Sequence, residues 1–281
     1  MKKLLYIPLL FLAFSVHAQN GIVLKMKYTP NHTYAGGINM DIKAKVNLSG
    51  NDTVVSKLTA QGLTLPITLD MVMKMDGNTK TGEPSAAGTF PLTMLYKIDS
   101  LSMDINGNKV PIPTDKIGGG SAIYGHVGAD GKLKADSISG SKMTDTSEAH
   151  ITQMMNTIQK NINFPDHPMK PGDSFTQDMP LNIPIAGNSV AANSKATYKL
   201  LSVDGDNAKF DVTQSMDMTI TVKGVAVHLS GSGSGKMVYS IKNNFATEYT
   251  ALFNMTVTGS IKSLQINATA TMDMDYRYVI N

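Results

Sequence analysis

The sequence predicts an all-β fold with one helix: two related, strongly curved antiparallel sheets of long amphipathic strands, half-barrel-like in form. Strict alternation is the first reason. From Ala208 the even positions Phe210, Val212, Gln214, Met216, Met218, Ile220 and Val222 are nearly all apolar, while Lys209, Asp211, Thr213, Ser215, Asp217, Thr219 and Thr221 lie between them. Successive strand side chains point to opposite faces, so one face is apolar and the other wet. The runs Leu63–Met75 and Ile266–Ile280 alternate in the same way. Turn chemistry is the second reason, with Asn, Asp and Gly clusters separating the runs. Third, one stretch alone carries an apolar stripe at helical period.

The elements follow in order. Ile22–Tyr28 and Tyr34–Leu48 open the first half, the latter with Ile38, Met40, Ile42, Ala44, Val46 and Leu48 in phase. Val54–Leu58, Leu63–Met75 and Phe90–Ile98 read as further strands. Leu101–Ile105 returns through Asn106-Gly107-Asn108 to Val110 and Ile112 as a hairpin. Gly118-Gly119-Gly120 reads as a flexible tract before the hairpin Ile123–Val127 and Leu133–Ile138. The second half runs Phe175–Ile185, Val190–Val203, 208–222 and Val225–Leu229. Gly231-Ser232-Gly233-Ser234-Gly235 reads as a second flexible tract. Met237–Ile241, Phe245–Val257 and a closing strand to Ile280 complete the chain. The parallel order of tracts and hairpins reads as a duplication.

The helix lies between the halves, over about 146–162. Asp145 and Glu148 have capping-box spacing, and Ile151, Met154, Met155, Ile158 and Ile162 form one stripe. Pro165 and Pro168 end it. The organisation is therefore a signal peptide at 1–18, an N-terminal β half at 19–143, a connecting helix at 144–165 and a C-terminal β half at 166–281. Fifteen strand residues span about 50 Å, and a sheet of such strands accumulates twist. It must bend, curl or close. A curled apolar face needs an occupant: the helix, the other half, or a ligand.

The N-terminus reads as a secretory signal. Lys2 and Lys3 precede an apolar core from Leu4 to Phe14, and Val16-His17-Ala18 is a small-residue cleavage site. The apolar core is too short for a stop-transfer span. The chain has no cysteine, although an exported protein could use disulfides. Burial must supply its stability. The net charge of +3 is spread among interspersed Lys, Asp and Thr, and Arg277 is the single arginine. That pattern carries no nucleic-acid stripe. Tryptophan is absent and methionine reaches 19. Flexible thioethers replace aromatics as fillers of the apolar face.

Pro165-Asp166-His167-Pro168-Met169-Lys170-Pro171-Gly172-Asp173-Ser174-Phe175 is the most distinctive segment. Its Lys-Pro-Gly-Asp-Ser core, followed by an aromatic at a strand start, resembles an uncharacterised family of exported β-rich proteins of Gram-negative bacteria. That family commonly has tryptophan where this chain has Phe175. The resemblance implies export and a β-rich layout, and brings no activity with it. Physically, Gly172-Asp173 is a turn that launches a strand.

No set of residues rises to an enzyme, so no catalytic residue, cofactor or metal is assigned. Met71 and Met73, Met216 and Met218, and Met272 and Met274 form Met-x-Met pairs, a soft-ligand pattern that can select Cu(I). All lie in phase with Leu, Ile, Val or Phe, so core packing is the stronger reading. The same six are the candidate apolar lining of a ligand site. His32, His126, His150, His167 and His228 show no zinc spacing. Gly231–Gly235 matches the letters of a nucleophile elbow without a following helix. Asp70, Asp217, Asp273 and Asp275 sit on polar strand faces among lysines, the pattern of a solvated surface. Asp204-Gly205-Asp206-Asn207 reads as a hairpin turn more than a calcium loop. Three acidic-hydroxyl-aliphatic triplets place Thr53, Ser100 and Ser137 as O-glycan acceptors, resembling those of exported proteins in some Gram-negative bacteria.

The expected function is that of a non-enzymatic exported envelope protein, in the periplasm or at the cell surface, binding an apolar small molecule or lipid on a concave sheet face. The rivals are a structural or interaction module with a solid core, partnered by another envelope protein, and an outer-membrane barrel. Missing aromatic girdles and the central helix weigh against the barrel.

Overall fold

A computed structural model describes residues 21–50, 52–60, 62–112, 121–139, 152, 156, 164–185, 188–222, 225–261 and 264–281. The expected signal peptide, the Gly118–Gly120 tract, His150 and most of the connecting helix lie outside these residues. Thr152 and Asn156 of that helix are helical.

The strands are β1 (Thr33–Gly50), β2 (Ile67–Thr81), β3 (Phe90–Ile105), β4 (Asn108–Val110), β5 (Ser121–Val127), β6 (Leu133–Ser139), β7 (Ser174–Ile185), β8 (Asn188–Asp204), β9 (Asn207–Val222), β10 (Val225–Ser240), β11 (Phe245–Ile261) and β12 (Leu264–Ile280). One helix, α1 (Asp52–Ala60), lies between β1 and β2. All twelve strands form one antiparallel sheet, in the order β6-β5-β3-β2-β1-β12-β11-β10-β9-β8-β7, with β4 paired to β3. The two halves are thus continuous, joined where β1 pairs with β12 from Tyr34↔Ile280 to Gly50↔Leu264. Each half is a meander, which antiparallel neighbours with short turns permit. Within the described residues the sheet is open, with β6 and β7 as its edges.

Several expectations need correction. Residues 54–58, read as a strand, belong to α1. Its last turn bends the Thr59 hydroxyl back to the carbonyl oxygens of Val55 and Ser56. The strand read from Leu63 begins only at Ile67, because Pro66 interrupts it. Ile22–Tyr28 is not a strand; a single bridge, Ile22↔Met169, ties it to the segment before β7. The Gly231–Gly235 tract is no loop: it lies inside β10, paired on both sides. There Gly231, Gly233 and Gly235 fall on the apolar face, where the missing side chains of Gly231 and Gly233 make room for the ring of Phe253. A Cβ on Gly231 would lie 2.5 Å from Phe253 Cε1. Local composition suggested flexibility; cross-strand packing overrides it.

The apolar face is packed most densely at one end. That end holds the starts of β1, β3, β9 and β11 and the ends of β2, β8, β10 and β12. Leu200, Ala208, Phe210, Val212, Met237 and Tyr239 are buried there with Leu24 and Met169 over them. Phe90, Leu92, Val127 and Leu133 form a neighbouring cluster. Each such large side chain contributes about 1.5–3 kcal/mol by burial. The segment 22–30 is the cover. Tyr239 Oη donates to the Lys25 carbonyl at 2.6 Å and accepts from the Lys25 N–H at 3.1 Å. The rings of Tyr34 on β1 and Phe245 on β11 lie 5.0 Å apart although β12 runs between them. Two strand spacings on a flat sheet are about 9–10 Å. The side chains therefore converge, and the apolar face curves inward at this end.

The distinctive Lys-Pro-Gly-Asp-Ser segment serves this packing. Gly172 has φ +101°, a conformation that favours glycine. The Lys170 N–H donates to Asp173 Oδ2 at 2.8 Å, and the Asp173 N–H returns to the Lys170 carbonyl at 3.0 Å. Phe175 then stacks on Tyr198 at 4.9 Å. The turn is a structural device that starts β7.

Candidate functional site

At the other end of the sheet the same apolar face is half-exposed. From Ile38 to Leu48 on β1, Ile67 to Met75 on β2, and Ile266 to Met274 on β12, the inward positions are intermediate in exposure. Alternation therefore continues beyond the cover. Ile, Leu, Met, Val and Ala line this part, with no charged residue among the inward positions of these three strands.

Register assembles the methionines into rows across the strands. Leu101, Met73, Met40, Met274 and Ala251 form one row over β3, β2, β1, β12 and β11. Met103, Met71, Ile42, Met272 and Phe253 form the next. Two of the predicted Met-x-Met pairs, Met71/Met73 and Met272/Met274, thus stand on either side of β1. The third, Met216/Met218, lies on β9, beyond β11 and β10. Met218 is buried at 7 % exposure. The other five are half-exposed, which corrects the reading of all six as core.

Met40, Met103, Met255 and Phe253 belong to the same surface and were not singled out in the sequence. Met40 stood in phase with its neighbours, so the alternation alone could have added it. Met103 was concealed by a bulge. Lys74 pairs with Ser100 and Met75 with Ile98, so Asp99 is an extra residue and the phase of β3 changes there. Phe253 needed the glycines of β10, which pair with it only in the folded sheet.

The remaining candidates fall elsewhere. His228 lies on the polar face, 3.5 Å from Asp217, opposite to Met216 and Met218. His126 meets Asp136 at 2.8 Å, and His167 meets Asp166 at 3.4 Å. His32 Nδ1 lies 2.7 Å from the Pro30 carbonyl. These histidines are dispersed, and the described residues contain no group of three or more His, Cys, Asp or Glu arranged to hold a metal. The Asp206 carboxylate accepts from the Ser240 hydroxyl at 2.7 Å and from the Lys242 N–H, tying two hairpin ends together. Asp70, Asp217 and Asp273 are exposed on the polar face, and Asp275 meets Arg277 at 3.5 Å. Thr53 is exposed on α1. Ser100 and Ser137 are exposed, each directly after the extra residue of a bulge, Asp99 or Asp136. No helix among the described residues is long and apolar enough to cross a membrane.

Burial governs the tyrosines of the packed end. It raises Tyr249 to about 12, with Tyr198 adding to the shift. Tyr28 and Tyr276 are raised further by burial and by neighbouring tyrosines. All stay neutral near pH 7. The Tyr249 hydroxyl is buried and has no hydrogen-bond partner.

No family model matches the sequence, and no curated protein matches it. Among solved structures, the chain is similar to the beta domain of the Bordetella autotransporter Brka, with 9% identity, 86% of this chain and 98% of that one covered, and a TM-score of 0.19. It is similar to the translocator domain of the autotransporter NalP from Neisseria meningitidis at 8% identity, 86% and 88% coverage, and a TM-score of 0.16. The outer membrane protease OmpT from Escherichia coli gives 9% identity, 92% and 99% coverage, and a TM-score of 0.18. At such scores the likeness assigns neither fold detail nor function.

Proposed function

We propose that this is a non-enzymatic, exported cell-envelope protein that holds an apolar or amphipathic ligand against its methionine-lined face. One observation carries the reading. A single continuous face is buried at one end by the chain's own segment 22–30 and left half-exposed at the other, where Met40, Met71, Met73, Met272 and Met274 meet. Exposed contiguous apolar surface of this kind marks a binding surface. Thioethers suit a ligand of variable shape, because unbranched Met side chains repack. Export rests on the N-terminal signal at 1–18 and on the resemblance at 165–175.

The test is native mass spectrometry of protein purified from its own envelope, with lipid extraction. A bound amphiphile, lost when Met40 and Met274 are replaced by Lys, supports the carrier. A bare mass, with no uptake of a fluorescent fatty acid afterwards, supports a solid structural module.

An outer-membrane barrel is the second reading. Its favouring observation is the pairing of the first strand with the last, β1 with β12. The convergence of Tyr34 and Phe245 over the apolar face opposes it, since a membrane barrel turns its apolar residues outward. Carbonate extraction of membranes separates the two: a barrel stays in the pellet and a carrier is released.

A further inference from the structure

The half-exposed methionines are a chemically reactive surface as well as an apolar one. Met73, Met40 and Met274 are consecutive partners across β2, β1 and β12, and Met71 and Met272 flank Ile42 in the next row. Directly opposed residues on one face have Cβ atoms about 4.5–5.5 Å apart. Five thioethers therefore share one patch, and all five residues are half-exposed. Other methionines of the same chain give the contrast. Met169 is 1 % exposed and Met237 8 % exposed, both inside the core cluster of the packed end.

The sequence removes the usual competitors for an oxidant, since the chain has no cysteine and no tryptophan. A two-electron oxidant such as hydrogen peroxide therefore meets methionine sulfur as the most oxidisable side chain on offer. The chemistry needs no protein base and no cofactor. The sulfur lone pair attacks one oxygen of the peroxide. An S–O bond forms as the O–O bond breaks, and the sulfur gives up two electrons. The departing hydroxide takes the remaining proton and leaves as water. The product sulfoxide is polar where the thioether was apolar. Position along the strands then separates binding from stability. Met169 and Met237, packed with Leu200 and Phe210, are withdrawn from solvent, whereas the five face methionines line the surface given to the ligand.

We propose that Met40, Met71, Met73, Met272 and Met274 form a sulfoxidation site for peroxide-class oxidants, and that their oxidation closes the face to apolar ligands while the fold persists. The closing step rests on the reading of this face as a binding surface. The selective oxidation does not.

The test treats the purified chain with graded hydrogen peroxide and follows peptide mass spectra, circular dichroism and uptake of a fluorescent fatty acid. Sulfoxide should form at the five face methionines about tenfold or more faster than at Met169 and Met237, because susceptibility follows exposure. The circular dichroism spectrum should hold while affinity for the fatty acid falls by about tenfold or more. A chain with Met40→Leu, Met73→Leu and Met274→Leu keeps an apolar face of nearly the same volume. It should bind before treatment and lose much less of that binding afterwards. Equal oxidation rates at face and buried methionines would overturn the proposal. So would selective oxidation with unchanged uptake, a circular dichroism spectrum that collapses in step with oxidation, or an equal loss of uptake in the leucine variant. Uptake before peroxide reports on binding itself. Its absence would sink the carrier reading and the closing step with it, while the rate contrast among the methionines would still decide the oxidation site.

Discussion

The side-chain amide of Asn156 forms a two-way hydrogen-bonded pair with the backbone of Ala135. The Ala135 N–H donates to Asn156 Oδ1 at 2.8 Å, and Asn156 Nδ2 donates to the Ala135 carbonyl at 3.1 Å. Ala135 sits on β6, at the open edge of the sheet, and is 3 % exposed. A helical side chain thus takes the place of a neighbouring strand at that point. Unpaired edges are hazards, and covering them is one natural remedy.

The first prediction follows from that pair. Asn156→Leu leaves a buried N–H and a buried C=O without partners. Each costs about 1–3 kcal/mol. Urea unfolding should show a loss of about 2 kcal/mol or more. Asn156→Asp keeps the acceptor and should lose less. Equal stability of Asn156→Leu and the parent would mean that the helix does not secure the edge.

Tyr249 gives a change of the opposite sign. Its hydroxyl is buried without a partner, so Tyr249→Phe removes an unsatisfied group and keeps the ring. The variant should be as stable as the parent or more so, by up to about 1 kcal/mol. Thermal melts at neutral pH check this, and a clear drop in Tm would reveal a hydroxyl interaction of real strength.

The same residue sets a pH dependence. Its folded pKa is raised from 10.0 to about 12, so the fold favours the neutral phenol. The corresponding stability is fully present below pH 10 and is lost as pH rises from there through about 12. Tyr28 and Tyr276 extend the loss upward. Denaturation midpoints should be flat with respect to these tyrosines between pH 7 and pH 9 and should fall above pH 10, less steeply in Tyr249→Phe.

Gly231 tests the origin of the β10 glycines. An added Cβ would meet Phe253 Cε1 at 2.5 Å and the Asn254 carbonyl oxygen at 2.9 Å. Gly231→Ala should cost about 1–3 kcal/mol. Phe253→Leu in the same chain should relieve part of that cost, and a double-mutant cycle reads the coupling. A neutral Gly231→Ala would return the tract to the status of a loose linker.

Much of the fold was legible because alternation is a local property. The runs ending at Met75, beginning at Ala208 and ending at Ile280 became β2, β9 and β12, and the Asn106-Gly107 turn joins β3 to β4 as its residue types require. What stayed hidden was non-local. The Gly231–Gly235 tract reads as flexible until Phe253 is placed beside it. Segment 22–28 has the composition of a strand, yet it packs as a cover through Leu24 and the Tyr239–Lys25 bonds. Residues 54–58 carry two β-branched valines and still form a helix, a reminder that propensity is a weak prior. At the candidate site the methionines were visible individually. Their assembly around β1 depends on its pairing with the far end of the chain, which no local pattern encodes.

The central claim is that the methionine-lined face is an occupied binding surface. Native mass spectrometry of the protein from its own envelope tests it most directly. The account predicts a discrete adduct of one amphiphile on the parent, and none on Met40→Lys/Met274→Lys with an unchanged circular dichroism spectrum. A parent that carries no adduct and takes up no fluorescent fatty acid would contradict it.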